Sequence, residues 1–186
     1  MLPFDSEITS NRKALLSPIE GPVLAKYASQ VERGCIVEIG TFLGGTTAIL
    51  ATYSKVVVVT IDKYILGTNP LDVYSLLQDF SNVMIIVGDS PTIGNLWSTE
   101  ISFLFIDGGH GYEDVKADFK SWSPHLTQDS VVAFHDARLP TGDKVSLYGY
   151  VFNGDPSVQQ FITELVETGD WCVIEYVGST AFIRRQ

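Results

Sequence analysis

The chain has 186 residues and a mass of 20.4 kDa, with 45% hydrophobic and 18% charged residues, which excludes a disordered chain and sets the scale of one domain. Its 22 acidic residues outnumber 12 basic ones, giving a net charge of -10, and such a surface repels phosphate backbones and anionic lipid, arguing against nucleic-acid and membrane partners. Cys35 and Cys172 lie far apart in apolar runs without metal-ligand spacing, the first residues are polar and acidic rather than a signal peptide, and every apolar run falls short of the ~20 residues that span a bilayer, so the expectation is a cytoplasmic protein.

In chain order, a leading helix is expected over about residues 18–32, with Val23, Leu24, Tyr27 and Ala28 on one face. Five strand-like runs follow: Cys35–Ile39, Val56–Ile61, Val83–Val87, Ser102–Ile106 and Ser130–Phe134. They are apolar nearly throughout, as strands covered on both faces are. Helical segments Thr46–Tyr53, Pro70–Phe80 and Tyr112–Trp122 lie between them, the last with Val115, Phe119 and Trp122 at i, i+4, i+7. Alternation of this kind implies a parallel sheet with right-handed crossovers. The end differs. After a helix over about residues 155–168, Trp171–Val177 and Thr180–Arg184 are separated only by Gly178-Ser179, too short for a parallel crossover, so they predict an antiparallel hairpin. The fold class is therefore α/β: a Rossmann-like, doubly wound, mostly parallel sheet of seven strands closed by a C-terminal antiparallel hairpin.

Ligands of open α/β sheets bind beyond the carboxyl ends of the strands. In or just after the five strands stand Glu38, Asp62, Asp89, Asp107 and His135-Asp136. The first turn, Glu38-Ile-Gly40-Thr41-Phe42-Leu-Gly44-Gly45-Thr46, lets a ligand approach the main chain and offers the free amides of a helix start. Its G-x-x-x-G-G spacing fits neither the dinucleotide fingerprint nor the P-loop. Glu38 suits a cationic ligand such as an amino-acid ammonium. Asp62, 22 residues after Gly40 and followed by Lys63, has the offset of an acid that accepts from ribose hydroxyls, or it caps a turn. Asp89 and Ser90 suit an adenine amino group, or an N-cap for the segment from Pro91.

Glu38-Ile-Gly-Thr-Phe-Leu-Gly-Gly-Thr46 resembles motif I of the class I S-adenosylmethionine (SAM)-dependent methyltransferases. Phe42 in place of the middle glycine is typical of small-molecule O-methyltransferases related to the catechol and caffeoyl-CoA enzymes. The stretch from Phe105 through Asp107-Gly108-Gly-His110-Gly-Tyr112 to Phe119, with Val131-Val-Ala-Phe-His135-Asp136, is similar to a bacterial branch that includes macrocin O-methyltransferase and cephalosporin hydroxylase-like proteins. The resemblance implies SAM as cofactor, with Glu38, Gly40, Thr41, Phe42, Gly44 and Thr46 around its methionine end. Asp62 would bind the ribose and Asp89 and Ser90 the adenine, with Lys63, Asp107 and Gly108 as further cofactor contacts. It places Asp107, His135 and Asp136 on the three ligands of a divalent metal, Mg2+ or another. It also places His110, as the base beside Asp107, on the position of a catalytic lysine. Two residues depart from the pattern: His135 replaces a carboxylate and His110 replaces the lysine. The implied function is SAM-dependent methylation of a small-molecule acceptor, most simply on oxygen, with metal assistance optional. The alternatives are a metal-dependent hydroxylase-like enzyme using Asp107, His135 and Asp136 with iron, or a non-catalytic SAM- or nucleotide-binding protein.

The domain is expected to run over 1–186, with 1–34 as an N-terminal helical cap and 137–156 as an acceptor-side loop offering Arg138, Lys144, Tyr148 and Tyr150. Trp97 is a candidate adenine cover and His125 a structural residue. No separate recognition domain fits this length, which favours a small acceptor, or a homodimer in which a second copy completes the site.

Overall fold

A computed structural model of the chain describes residues 14–64, 68–138, 146–147, 150–151 and 156–186. Helix α1 (Glu20–Gln30) leads into β1 (Cys35–Ile39), α2 (Gly45–Tyr53), β2 (Val58–Asp62), α3 (Pro70–Leu77), β3 (Val83–Val87), the short α4 (Ser90–Gly94), β4 (Ile101–Ile106), α5 (Tyr112–Trp122) and β5 (Leu126–Phe134). A two-stranded ribbon, β6 (Ser146–Leu147) and β7 (Tyr150–Val151), precedes α6 (Pro156–Glu167), β8 (Trp171–Val177) and β9 (Thr180–Arg185).

The main sheet has seven strands in the order β3-β2-β1-β4-β5-β9-β8. The first five are parallel, β9 runs antiparallel to β5, and β8 runs antiparallel to β9. The order reverses between β1 and β4, the switch point where α/β sheets open a crevice.

Side chains alternate between two cores, as the pleat requires. Val37, Ile39, Leu104, Ile106, Val132 and Phe134 face a cluster with Phe119 and Trp122 of α5 and Phe161 and Ile162 of α6. Ile36, Val58, Phe103, Phe105, Ala133 and Phe182 face a second cluster with Leu24, Tyr27 and Ala28 of α1 and Ile49 and Leu50 of α2. Each such side chain, once fully buried, contributes roughly 1.5–3 kcal/mol. Helix α1 therefore packs flat on the sheet face, with the Tyr27 ring stacked 4.6 Å from that of Phe182.

Several boundaries and one environment differ from the sequence reading. Strand β2 starts at Val58 rather than 56, and β5 extends back to Leu126. Helix α4 caps itself with the Asp89 side chain, which accepts from Thr92 N. Strand β3 is not covered on both faces: Met84 is 50% and Val87 58% exposed. It is one of the two outer strands of the sheet, so an apolar run alone did not report its position.

Candidate active site

The motif I turn is set by contacts at Gly40 and Gly44. Gly40 has φ +97°, and a Cβ there would lie 1.9 Å from the Asp107 carbonyl oxygen. Only glycine lets the β1 and β4 ends approach so closely. Gly44 (φ +79°) opens α2, and its amide donates to Thr41 O at 2.7 Å. Phe42 (φ +46°) is held by its amide, which donates to Asp62 Oδ2 at 2.8 Å. The other oxygen of Asp62 accepts from the Tyr64 amide at 2.7 Å.

Glu38 is completely buried. Its position in β1 puts it on the side of Ile36, beneath α2. Thr47 Oγ1 and Thr60 Oγ1 both donate to its Oε2, the latter at 2.6 Å, and Thr41 Oγ1 completes the cluster 2.6 Å from Thr60 Oγ1. Its Oε1 is buried without a partner. Burial, reinforced by the charges of Asp107 and Asp62 and only partly offset by the two threonine bonds, raises this carboxyl to about 8.

At the adenine-side positions, Lys63 Nζ lies 2.6 Å from Asp89 Oδ1, and that lysine together with Thr92 holds Asp89 down to about 2. Asp89 is thus an N-cap and an ion-pair partner. The Ser90 hydroxyl accepts from Trp122 Nε1 at 2.8 Å and hydrogen-bonds Asp118, a buried acid raised to about 6 chiefly by its burial. Trp97 packs against Trp122 and donates to Thr99 O, so it is part of the wall rather than an open platform. Thr46 is buried in the first turn of α2. A Cβ at Gly108 would come 3.3 Å from Asp118 Oδ2.

At the ends of β4 and β5, Asp107, His110 and Asp136 each offer a ligand atom, all within 4.8 Å of one another. His110 Nε2 is 3.3 Å from Asp136 Oδ2 and 4.0 Å from Asp107 Oδ1. The His110 side chain is 47% exposed, whereas Asp136 is buried, sits at φ +53°, and keeps its Oδ1 unpartnered. His135 stands behind this trio. Its Nδ1 lies 3.1 Å from Asp107 Oδ1 and 3.4 Å from Asp136 Oδ2, and its Nε2 faces Ser179 Oγ at 3.3 Å and Glu20 Oε1 at 3.6 Å. Burial alone would lower this imidazole, but the Asp107 charge and the bonds to Asp107, Asp136 and Glu20 carry it well above its ordinary 6.5. Burial opposes ionisation of Asp136, yet His135 and His110 hold it below its usual range. The structure therefore groups His110, not His135, with the two aspartates as an open donor set.

Glu20 and Asp118 were missed in the sequence. The first had a signal: Ser17-Pro-Ile-Glu20 has the S-x-x-E spacing of a capping box, of which the structure forms one half, the Ser17 amide donating to Glu20 Oε2 at 2.6 Å. Arg138 lies over the Tyr176 ring and donates to Gly178 O, which ties it to the β8–β9 hairpin. Lys144, Tyr148 and the Tyr150 side chain lie outside the described residues.

Residues 37–137, from β1 to just past Asp136, match the model of a methyltransferase domain. The chain belongs to this methyltransferase family. A 50-residue stretch is 43% identical to the protein y4gI of Sinorhizobium fredii, a match covering 27% of this chain and 6% of that protein. The O-methyltransferase TomG from Streptomyces achromogenes, involved in tomaymycin synthesis and solved with SAM, superimposes with TM-score 0.73 at 19% identity, over 100% of this methyltransferase and 92% of that chain. A caffeoyl-CoA O-methyltransferase homologue from Staphylococcus aureus has TM-score 0.73 at 18% identity, over 97% and 88% of the two chains. The SAH-bound methyltransferase PaMTH1 from Podospora anserina has TM-score 0.70 at 18% identity, over 97% and 85%. These three establish the shared fold. Among the described residues no helix is long and apolar enough to cross a membrane.

Proposed function

We propose that this methyltransferase transfers the methyl group of SAM to a hydroxyl of a small-molecule acceptor in the cytoplasm. The observation that carries the reading is the pairing, at one sheet edge, of a buried carboxyl oxygen lacking a partner, Glu38 Oε1, with an acidic trio, Asp107, His110 and Asp136. The first fits an ammonium beside the motif I turn, the second an acceptor.

The balance of the step is simple: the acceptor oxygen bonds the methyl carbon, the carbon–sulfur bond breaks, and the sulfonium becomes the neutral thioether of S-adenosylhomocysteine. The protein's work is alignment and proton removal. With His110 Nε2 facing Asp136 Oδ2 at 3.3 Å, Nδ1 is the nitrogen that would take the acceptor proton. Glu38 receives the ammonium, and the Asp62 carboxylate, with lone pairs beyond those used by Phe42 and Tyr64, receives ribose hydroxyls. TomG and PaMTH1, solved with SAM and SAH, support this assignment through their shared fold.

A divalent metal also fits the donor set, because Asp136 Oδ1 is buried without a partner and the three ligand atoms converge. Asp107, His110 and Asp136 would hold it, and it would lower the pKa of the acceptor hydroxyl.

The test begins with thermal shift in millimolar SAM or S-adenosylhomocysteine against NAD. The reading expects stabilisation by the first two alone, then transfer of labelled methyl from SAM to members of a phenol and sugar hydroxyl panel. No shift with either SAM compound refutes it. Turnover that survives chelators removes the metal from the mechanism, and binding without turnover on any hydroxyl favours a non-catalytic binding protein.

A further inference from the structure

Glu20 has no counterpart in the motifs that the sequence offered, yet it is only 1% exposed. A buried carboxylate persists where its lone pairs are filled, and here they are. Oε2 accepts the Ser17 amide. Oε1 accepts the Ser179 amide at 2.8 Å, Ser179 Oγ at 2.9 Å and Thr180 Oγ1 at 3.0 Å, and it also faces His135 Nε2 at 3.6 Å. Tying α1 to the β8–β9 turn requires only the serine and threonine bonds. The charge of Glu20 facing His135, directly at 3.6 Å and through Ser179 Oγ, which lies 3.3 Å from Nε2, does something else, because an imidazole has two ends and fixing one aims the other. The aimed end, Nδ1, meets Asp107 Oδ1 and Asp136 Oδ2, and that same Asp136 oxygen meets His110 Nε2.

We propose that Glu20 is a positioning residue: by holding the Nε2 edge of His135, directly and through Ser179 Oγ, it directs Nδ1–H at Asp107 and Asp136, and so sets where these carboxylates stand before His110. A chain of contacts thereby runs from the first turn of α1, through the sheet edge, to the exposed imidazole. The inference rests on the reading of Asp107, His110 and Asp136 as the acceptor-side site. Its test needs no cofactor, metal or acceptor, so its failure is separable from failure of that reading, which the SAM experiment reports.

The chain has three histidines, His110, His125 and His135. Imidazole nitrogen–proton correlation spectra of the full chain at one fixed pH therefore resolve each, assigned with His110→Gln and His125→Gln. Glu20→Gln retains an oxygen for the Ser17 amide and removes the charge facing His135. The expected result is displacement of the His135 Nδ1–H resonance and a shift of the His110 resonances, which Glu20 reaches through His135 and Asp136. Thr180→Val weakens the same clip while keeping the charge, and both signals are expected to stay in place. A Glu20→Gln protein that melts at lower temperature with the His135 and His110 signals unmoved overturns the proposal and leaves Glu20 as a clip. If Glu20→Gln does not fold, Glu20→Asp withdraws the carboxylate by one methylene. Displaced His135 and His110 signals in that variant support the proposal, and a wild-type spectrum overturns it.

Discussion

Glu38→Gln separates two properties that a single buried carboxyl combines, the stability of the free protein and its affinity for a cation. The carboxyl is raised from 4.5 to about 8 by burial, with Asp107 and Asp62 adding to the effect. Between those two values the folded chain keeps a proton that the unfolded chain has released, so raising the pH weakens the fold; above about 8 both states are ionised and this dependence ends. At about 1.4 kcal/mol per pH unit, the full penalty is on the order of 5 kcal/mol, and the part falling between pH 6 and pH 8.5 is about 2–3 kcal/mol. Urea unfolding at these two pH values is expected to show wild type losing about 2–3 kcal/mol more than Glu38→Gln, because the amide keeps the shape and one acceptor for Thr47 and Thr60 but cannot ionise. An ammonium at the unpartnered Oε1 would convert the penalised charge into a paired one. Calorimetric titration of S-adenosylhomocysteine at pH 7, in buffers of different ionisation enthalpy, should then show roughly one proton released by wild type and none by a weaker-binding Glu38→Gln. Equal losses of stability in the two proteins between pH 6 and 8.5 would refute the reasoning, since Glu38 would then be ionised throughout.

Other expectations follow from the same geometry. Gly40→Ala places a methyl 1.9 Å from the Asp107 carbonyl at φ +97° and should destabilise the chain by roughly 3 kcal/mol or more, measured by chemical denaturation; a near-neutral result would mean that the β1 and β4 ends are not locked together. Asp62→Ala leaves the Phe42 and Tyr64 amides without their acceptor and should lower stability by about 1–3 kcal/mol while abolishing the thermal shift with SAM; an unchanged shift removes Asp62 from the ribose role. Asp118, raised from 3.8 to about 6 chiefly by burial, weakens the fold as pH rises from about 4 to 6, so Asp118→Asn should be less sensitive to that rise than wild type. Unfolding at pH 5 and pH 8 checks the sign, and a variant losing as much as wild type refutes it.

The mostly parallel sheet, the hairpin and the motif I turn were readable because each depends on local rules. Five apolar runs separated by helical patterns leave few topologies, and Gly178-Ser179 allows only a reversal. The edge position of β3 was not readable, since Val83–Val87 is as apolar as β1; exposure there follows from the missing neighbour, a property of the whole sheet. The acids at the strand ends were located correctly but not distinguished. Which carboxylate caps, which pairs and which stays unpartnered is decided by residues distant in sequence: Thr60 for Glu38, Lys63 for Asp89, Ser179 and Thr180 for Glu20. His135 and His110 illustrate the same limit. Aligned on motif position, His135 looked like the ligand and His110 like the base; in three dimensions His135 is buried with both ring edges occupied, and the reachable nitrogen belongs to His110.

Sorting these acids by partner also explains how a chain of net charge -10 can gather so many at one edge. Ionised together without partners, Glu38, Asp62, Asp107 and Asp136 would repel one another across a poorly screened interior. The fold removes that conflict in three ways. Burial raises Glu38 toward its neutral form, backbone amides take both oxygens of Asp62, and the buried imidazole of His135 sits between Asp107 and Asp136 on one side and Glu20 on the other. What remains is the half-exposed His110 beside Asp107 and Asp136, and the buried, unpartnered Oε1 of Glu38 under the glycine turn. On the proposed reading, a sulfonium bearing an ammonium would meet that arrangement twice, once at each end. After transfer the sulfonium charge is gone, so the thioether product would keep only the match at Glu38. The same electrostatics would therefore hold the product less tightly than the cofactor at the reacting end.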